Sequence, residues 1–353
     1  MTPPPTGGDG RSRPEQVLDG LVEQVLGAPR QWRREEVARA AGISLEEARR
    51  LWRAMGFADV GDATAFTDED ISALRLLVTL LDRGALDRSV AVDVARSLGQ
   101  TTSRLADWQV DLLGRQLVGR GELDPLDPLA PRSAAALATE ITVLLPALER
   151  LLVHGWRRQV AAALERALGD AEASGDVETG HLTVGFADQV GFTRLARRME
   201  EPELAALVER FESRSADVVV GAGGRLIKTL GDEILFVASD PLAAAEASLR
   251  LLSEHQADDS IPRLRIGLAT GVVVTRRGDV FGTTVNLASR LTAVARPDSV
   301  LVDATTAEAL AEQPAYRLRP LGPRSVRGIG LVRPVVLERS SPAGSATFHT
   351  AST

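Results

Sequence analysis

The sequence predicts an α+β chain, with an all-helical N-terminal region followed by a domain of mixed strands and helices. Three observations carry this reading. Apolar residues recur at helical spacing through roughly 15–168, as in Val17, Leu21 and Val25, and no stretch there alternates like a strand. After residue 181 the period changes, and short apolar runs alternate with amphipathic segments. Between the two, residues 169–180 are acidic, contain Gly and Ser, show no apolar period and read as a linker.

In the helical region Leu74, Leu77 and Leu81 mark one helix face, and Asp68 and Glu69 stand where acidic residues favour a helix start. Helix, glycine turn and second helix follow one another from Glu35 through Gly42 to Trp52, so 35–84 resembles a helix-turn-helix. The last helix is expected from Ala134 to Leu168 with a kink at Pro146. Residues 1–14 and 340–353, rich in Pro, Gly and Ser, are expected to be disordered.

In the second region, 181–339, Leu182–Phe186 reads as a strand, and Leu204, Leu207, Val208 and Phe211 mark a helix with Pro202 near its first turn. Leu226–Leu230 and Glu233–Ala238 read as strands joined at Gly231-Asp232, where Gly at the first central position suits a type II′ hairpin. Asp240-Pro241 starts another helix, Leu264–Val274 is a further strand and Thr284–Ala293 a further helix. The order βαββαβ is that of the ferredoxin-like fold.

Composition narrows the function. The chain has 353 residues, 44% hydrophobic and 25% charged, enough for an ordinary core. A formal net charge of −7 argues against a general nucleic-acid binder, which needs a basic surface. Cysteine is absent, which excludes disulfides and thiolate metal sites. The start Met1-Thr2-Pro3-Pro4-Pro5 has no apolar signal core. The longest apolar candidate, Ile141–Trp156, is broken by Pro146, Glu149 and Arg150 and falls short of the roughly 18 residues a membrane span needs. A cytoplasmic protein is expected, with peripheral membrane contact left open.

Three motifs carry chemistry. In Phe186–Thr193 a carboxylate, Asp188, ends a strand before a glycine turn and a helix start at Gly191, Phe192 and Thr193. Free N–H groups beside a carboxylate suit a metal and the phosphate it bridges, although Asp188 alone equally fits a helix cap. In Lys228–Glu233, Asp232 lies at a hairpin tip that neighbours the first strand, so Asp188 and Asp232 can converge. Two carboxylates holding two ions about 3.5–4 Å apart form a clamp for displacement at phosphorus. In Gly278–Leu291, Asn286 and Arg290 lie four apart on one helix face, suited to a sugar and a phosphate. Alone, that pair is indistinguishable from an ordinary solvated helix face.

Together these motifs, over 181–339, resemble the catalytic domain of class III nucleotidyl cyclases. The resemblance implies an adenylate cyclase that converts ATP to 3′,5′-cyclic AMP and pyrophosphate by two-metal attack of the ribose 3′-hydroxyl on the α-phosphorus. Asp188 and Asp232 resemble the metal aspartates, with the Gln189 carbonyl as a further ligand, for two Mg²⁺ or Mn²⁺ ions. Lys228 and Asp279 resemble the pair that reads adenine, where guanylyl cyclases typically carry Glu and Cys. Asn286 resembles the ribose-orienting residue, Arg290 the transition-state arginine, and Arg327 a basic position, usually lysine, that contacts the triphosphate. His154, His181, His255 and His349 lie outside the motifs, and no dedicated general base is evident. One chain carries both residue sets, so the family pattern implies a homodimer with two shared sites. A degenerate binding module is disfavoured by the intact set of six residues.

For the helical half the resemblance implies a regulatory domain, acting through an arm at 150–168 and open to a small apolar or pH signal, with His154 near the arm. The rival is a DNA-binding regulator using the helix-turn-helix-like segment with a nucleotide-sensing C-terminal domain. Charge decides against it. From Gln31 to Val90, nine arginines (33, 34, 39, 49, 50, 53, 75, 83, 88) face eleven acids (35, 36, 46, 47, 59, 62, 68, 69, 70, 82, 87).

Overall fold

The computed structural model describes residues 12–174, 179–258, 261–276, 278–326 and 328–340. The chain divides into two compact units, Met1–Ala161 and Ala162–Thr353.

The first unit is helical, as expected. It holds α1 (Arg13–Leu26), α2 (Arg34–Ala41), α3 (Leu45–Met55), α4 (Asp68–Asp82), α5 (Arg88–Gly119) and the beginning of α6 (Pro131–Ser174). Its caps are legible. Gly42 ends α2 in the left-handed conformation at φ 79°, and Ser44 then caps α3 by accepting from the Glu47 N–H at 3.2 Å. Thr67 and Asp70 form a capping box at the start of α4. Val37, Ala41, Ala48, Leu51, Trp52, Phe66, Ile71 and Leu74 form the buried core beneath these helices.

Two boundaries are corrected. Residues 12–14 are ordered helix: Ser12 caps α1, Pro14 sits in its first turn, and Glu15 completes a capping box. The remainder of 1–11 and all of 341–353 lie outside the described residues. The linker expected at 169–180 is entered from both sides, because α6 continues to Ser174 and the first strand starts at Thr179. Ala and Glu at 171–173 are strong helix formers and offset the cost of Gly169, roughly 1 kcal/mol. The helix also passes Pro146 without a break in its assignment.

The second unit begins within α6. It continues with β1 (Thr179–Gln189), α7 (Phe192–Ala196), α8 (Glu201–Gly221), β2 (Arg225–Thr229), β3 (Glu233–Ala238), α9 (Pro241–Gln256) and β4 (Leu264–Arg276). Then come β5 (Asp279–Phe281), α10 (Thr283–Val294), β6 (Ser299–Val302), α11 (Ala304–Leu310), β7 (Tyr316–Pro320), β8 (Arg324–Val326), β9 (Gly330–Val332) and β10 (Val335–Arg339). Strands order as β2-β3-β1-β4-β6-β10-β7, with β5 on β4 and β8-β9 as a separate ribbon. Its first four members are the antiparallel ferredoxin-like sheet that the sequence order implied.

The sheet extension past β4 was not anticipated. Its strands are short, and runs such as Ser299–Val302 cannot be told from helix or loop by period alone. One face of the sheet packs Phe211, Val219, Ala244, Leu251 and Leu310 from α8, α9 and α11. The other packs Ala288 of α10 and Val280 of β5 against Val184, Phe186 and Leu235. Gly267 lets α10 lie against β4, since a Cβ there would overlap the backbone of Ala288 and Thr292. Among the described residues no helix is long and apolar enough to cross a membrane.

Candidate active site

The site is built where β1 ends against the β2–β3 hairpin. Asp188 pairs in register with Glu233 of β3 on one side and Arg265 of β4 on the other. Across the hairpin the Leu230 N–H donates to the Glu233 carbonyl at 2.7 Å, with Gly231 in the turn at φ 72°. The Gln189 N–H donates to the Asp232 carbonyl at 2.9 Å, which ties the hairpin tip to the end of β1. Two residues 44 positions apart in the sequence, Asp188 and Asp232, are thereby placed together.

Asp188 does not cap the next helix. Gly191, at φ 78°, is the N-cap residue of α7, and Phe192 and Thr193 open that helix. The Asp188 carboxylate instead accepts from Arg265 Nε at 2.6 Å, with its side chain 15% exposed. Burial holds its carboxyl above the ordinary carboxylate range against the pull of Arg265, and the charge of Asp232 adds to the rise. Burial also pushes Glu233 up to about 7, helped by the charges of Asp188 and Asp232.

Glu233 and Arg265 were not singled out from the sequence. Glu233 fell at the start of one expected strand and Arg265 within another, with no role given to either. The signal that would have found them is strand register, which aligns both with Asp188.

A divalent cation fits this donor set. Mutual repulsion among the three acids would be relieved by positive charge between them, and hard oxygen donors suit Mg²⁺ or Mn²⁺. The described residues contain no group of three acidic or His side chains arranged as a complete metal cage. Mg²⁺ sites commonly complete themselves with one or two carboxylates, backbone oxygen, water and substrate phosphate. Asp188, Asp232 and the Gln189 carbonyl can supply the protein share.

Lys228 and Asp279 also meet. Lys228 Nζ donates to Asp279 Oδ2 at 2.5 Å, both half-buried. The contact depends on a β-bulge. Leu226 aligns with Phe236, but Lys228 aligns with Leu235, so two residues of β2 face one of β3. Strict alternation would return Lys228 to the face of Leu226, which packs under α8 and α9. The bulge keeps it beside Leu235 on the opposite face, where Val280 of β5 also packs.

Asn286 and Arg290 lie on the exposed side of α10, opposite buried Ala288, Leu291 and Thr292. The helix is held down by Thr284 Oγ1 donating to the Val272 carbonyl at 2.8 Å and Thr292 Oγ1 to the Phe186 carbonyl at 3.2 Å. Among the described residues no hydrogen bond or ion pair joins Asn286 or Arg290 to the carboxylates or to Lys228. Arg327 lies outside the described residues.

Comparison with known proteins identifies the family of the chain. Residues 176–339 match the family described as the adenylate and guanylate cyclase catalytic domain. An adenylate cyclase of Streptomyces coelicolor is 46% identical, covering 96% of this chain and 96% of the relative. An adenylate cyclase of Streptomyces griseus is 44% identical, covering 92% and 90%. Among solved structures, the adenylyl cyclase CyaB from P. aeruginosa matches 46% of this chain and 97% of its own at 21% identity and a TM-score of 0.42.

Proposed function

This chain belongs to the adenylate cyclases with a class III catalytic domain, and on that premise we propose that it converts ATP to 3′,5′-cyclic AMP and pyrophosphate at sites shared between two copies. The observation that carries the reading is the joint occurrence of an acidic cluster at Asp188, Asp232 and Glu233 and a polar ion pair at Lys228 and Asp279 on one sheet.

Lys228 and Asp279 satisfy each other in the free protein. Adenine recognition exchanges that ion pair for a lysine donor to a ring nitrogen and an aspartate acceptor for the 6-amino group. Guanine offers a carbonyl where adenine has its amine, which leaves Asp279 facing an acceptor. Two divalent cations on Asp188, Asp232 and the Gln189 carbonyl would supply Lewis acidity at the 3′-hydroxyl and the triphosphate. Arg265 lies close enough to share the charge of that cluster, and a guanidinium that leaves Asp188 can turn to a phosphate oxygen. Asn286 would orient the ribose, and Arg290 would stabilise the charge developing on the α-phosphate during in-line displacement.

The outward placement of Asn286 and Arg290 supports a shared site. A residue on the solvent side of α10 can serve a second copy that docks its acidic cluster there. The helical unit is read as the regulator of that assembly, through the arm at 150–168. Trp156, Leu164 and Leu168 along this arm are exposed. Comparing full-length chain with a form lacking residues 1–170 measures that control, and identical activity under all conditions would remove it.

The direct test is incubation with ATP or GTP and Mn²⁺, followed by product identification. Cyclic AMP from ATP is expected, and absence of any 3′,5′-cyclic nucleotide would overturn the reading.

A further inference from the structure

The first unit contains a cavity of about 610 Å³ between α3 and the segment leading to Phe66. A volume of that size suits a small organic molecule. Trp52 and Phe66 form its floor, stacked with ring centroids 4.7 Å apart. Phe57 stands at the wall and is 50% exposed. The whole chain has only 4 Trp, 1 Tyr and 8 Phe, yet three rings converge on this opening. Trp52 and Phe66 are explained by the core they belong to, but exposed Phe57 is not.

The charged lining is unevenly paired. Arg34, Arg49 and Arg53 line the cavity with Glu46 and Asp59, and Glu35 and Asp62 stand beside Arg34. Arg34 is fully engaged, donating to Glu35 at 2.9 Å, Asp59 at 3.2 Å and Asp62 at 2.8 Å. Arg49 and Arg53 remain, one helical turn apart on α3, where like charges repel. Arg53 Nε donates to the Arg49 carbonyl at 3.3 Å. Arg49 Nε is buried and has no hydrogen-bond partner among the described residues, although its charge is felt by Glu35 and Asp59. A buried donor on a cation that meets no acceptor calls for an explanation.

We propose that this cavity binds a planar organic monoanion, an aromatic ring bearing one carboxylate. The carboxylate lies between Arg49 and Arg53 and relieves their repulsion, and a turn of the Arg49 side chain brings its buried Nε–H to the ligand. The ring lies against Phe57 over the Trp52–Phe66 floor. Two arginines without an ion pair among the described residues, with four acids close by, favour one carboxylate over a polyphosphate. The cavity lies wholly within the helical unit, so the inference does not depend on the catalytic reading and is measured without nucleotide.

The test is titration calorimetry of the full chain with 2-naphthoate, 2-naphthylmethanol and octanoate. Saturable binding of one naphthoate per chain is expected, with the uncharged alcohol and the ring-free octanoate each weaker by roughly tenfold or more. Arg49→Gln and Phe57→Ala should each weaken naphthoate by a similar factor, roughly tenfold or more. Phe57 is half exposed, so its truncation leaves a folded protein even if Arg49→Gln melts early, and circular dichroism checks both. No saturable heat with naphthoate, or heat unchanged in both variants, overturns the proposal. Octanoate binding as tightly removes the aromatic part. Displacement of naphthoate by a short DNA duplex would reassign the arginine pair to nucleic acid and overturn the small-molecule reading.

Discussion

Lys228 and Asp279, 51 residues apart, form an ion pair at 2.5 Å that only a β-bulge in β2 makes available. In the proposed function a nucleobase would separate them. Base choice would then rest on two side chains whose charges can be changed without touching the acidic cluster.

Lys228→Ala should lower kcat/KM for ATP roughly 10–100-fold, because Asp279 loses its partner and the base loses a donor. Lys228→Glu combined with Asp279→Cys should raise the ratio of cyclic GMP to cyclic AMP formed from equal ATP and GTP. An unchanged ratio would detach this pair from base recognition.

Arg265→Ala should lower kcat/KM roughly tenfold or more, and Arg265→Lys should recover part of the loss. Asp188 loses a 2.6 Å partner in the alanine variant, so half-saturation by Mn²⁺ is the second readout. Wild-type kinetics in Arg265→Ala would leave the guanidinium as a packing residue only.

Glu233 gives a pH dependence of stability. Its folded pKa of about 7 lies above the ordinary 4.5, so the fold favours the protonated acid. That contribution is complete below 4.5 and is lost as the pH rises through about 7. Glu233→Gln cannot ionise, so in the presence of a chelator it should match wild type near pH 5 and exceed it by about 1–2 kcal/mol near pH 8, after discounting for solvent screening. Thermal melts of both proteins across that range decide it. A constant difference would mean that Glu233 titrates normally.

Gly267→Ala should destabilise the second unit by about 1–3 kcal/mol, because the backbone of α10 cannot yield as a side chain does. Asn286 and Arg290 ride on that helix, so activity should fall further than the fraction unfolded explains. Melting temperature and kcat at a temperature where the variant is fully folded separate the two effects.

Asp188→Ala and Arg290→Ala chains should each be inactive alone. Mixed in equal amounts they should recover roughly a quarter of wild-type activity, since half of the dimers are mixed and each keeps one of two sites. No recovery on mixing would place both residues in separate, unshared roles.

Much of this molecule was legible in its sequence. The helical period of the first unit, the helix starts at Asp68 and at Asp240, and the βαββαβ order all arise from local rules of spacing and capping. Asp188 and Asp232 were visible because a carboxylate beside a glycine turn is a local pattern too, whereas Lys228 and Asp279 stood out only through the resemblance to class III cyclases.

What the tertiary structure decided is relational. Pairing of β1 with β3 and β4 brought Glu233 and Arg265 to Asp188, because strand register is set by long-range packing that one strand does not carry. A single extra residue in β2 turned Lys228 toward Asp279. The three aromatic rings that gathered around the cavity beside Arg49 have the same origin: contacts between distant segments outweigh the weak preferences of any one of them.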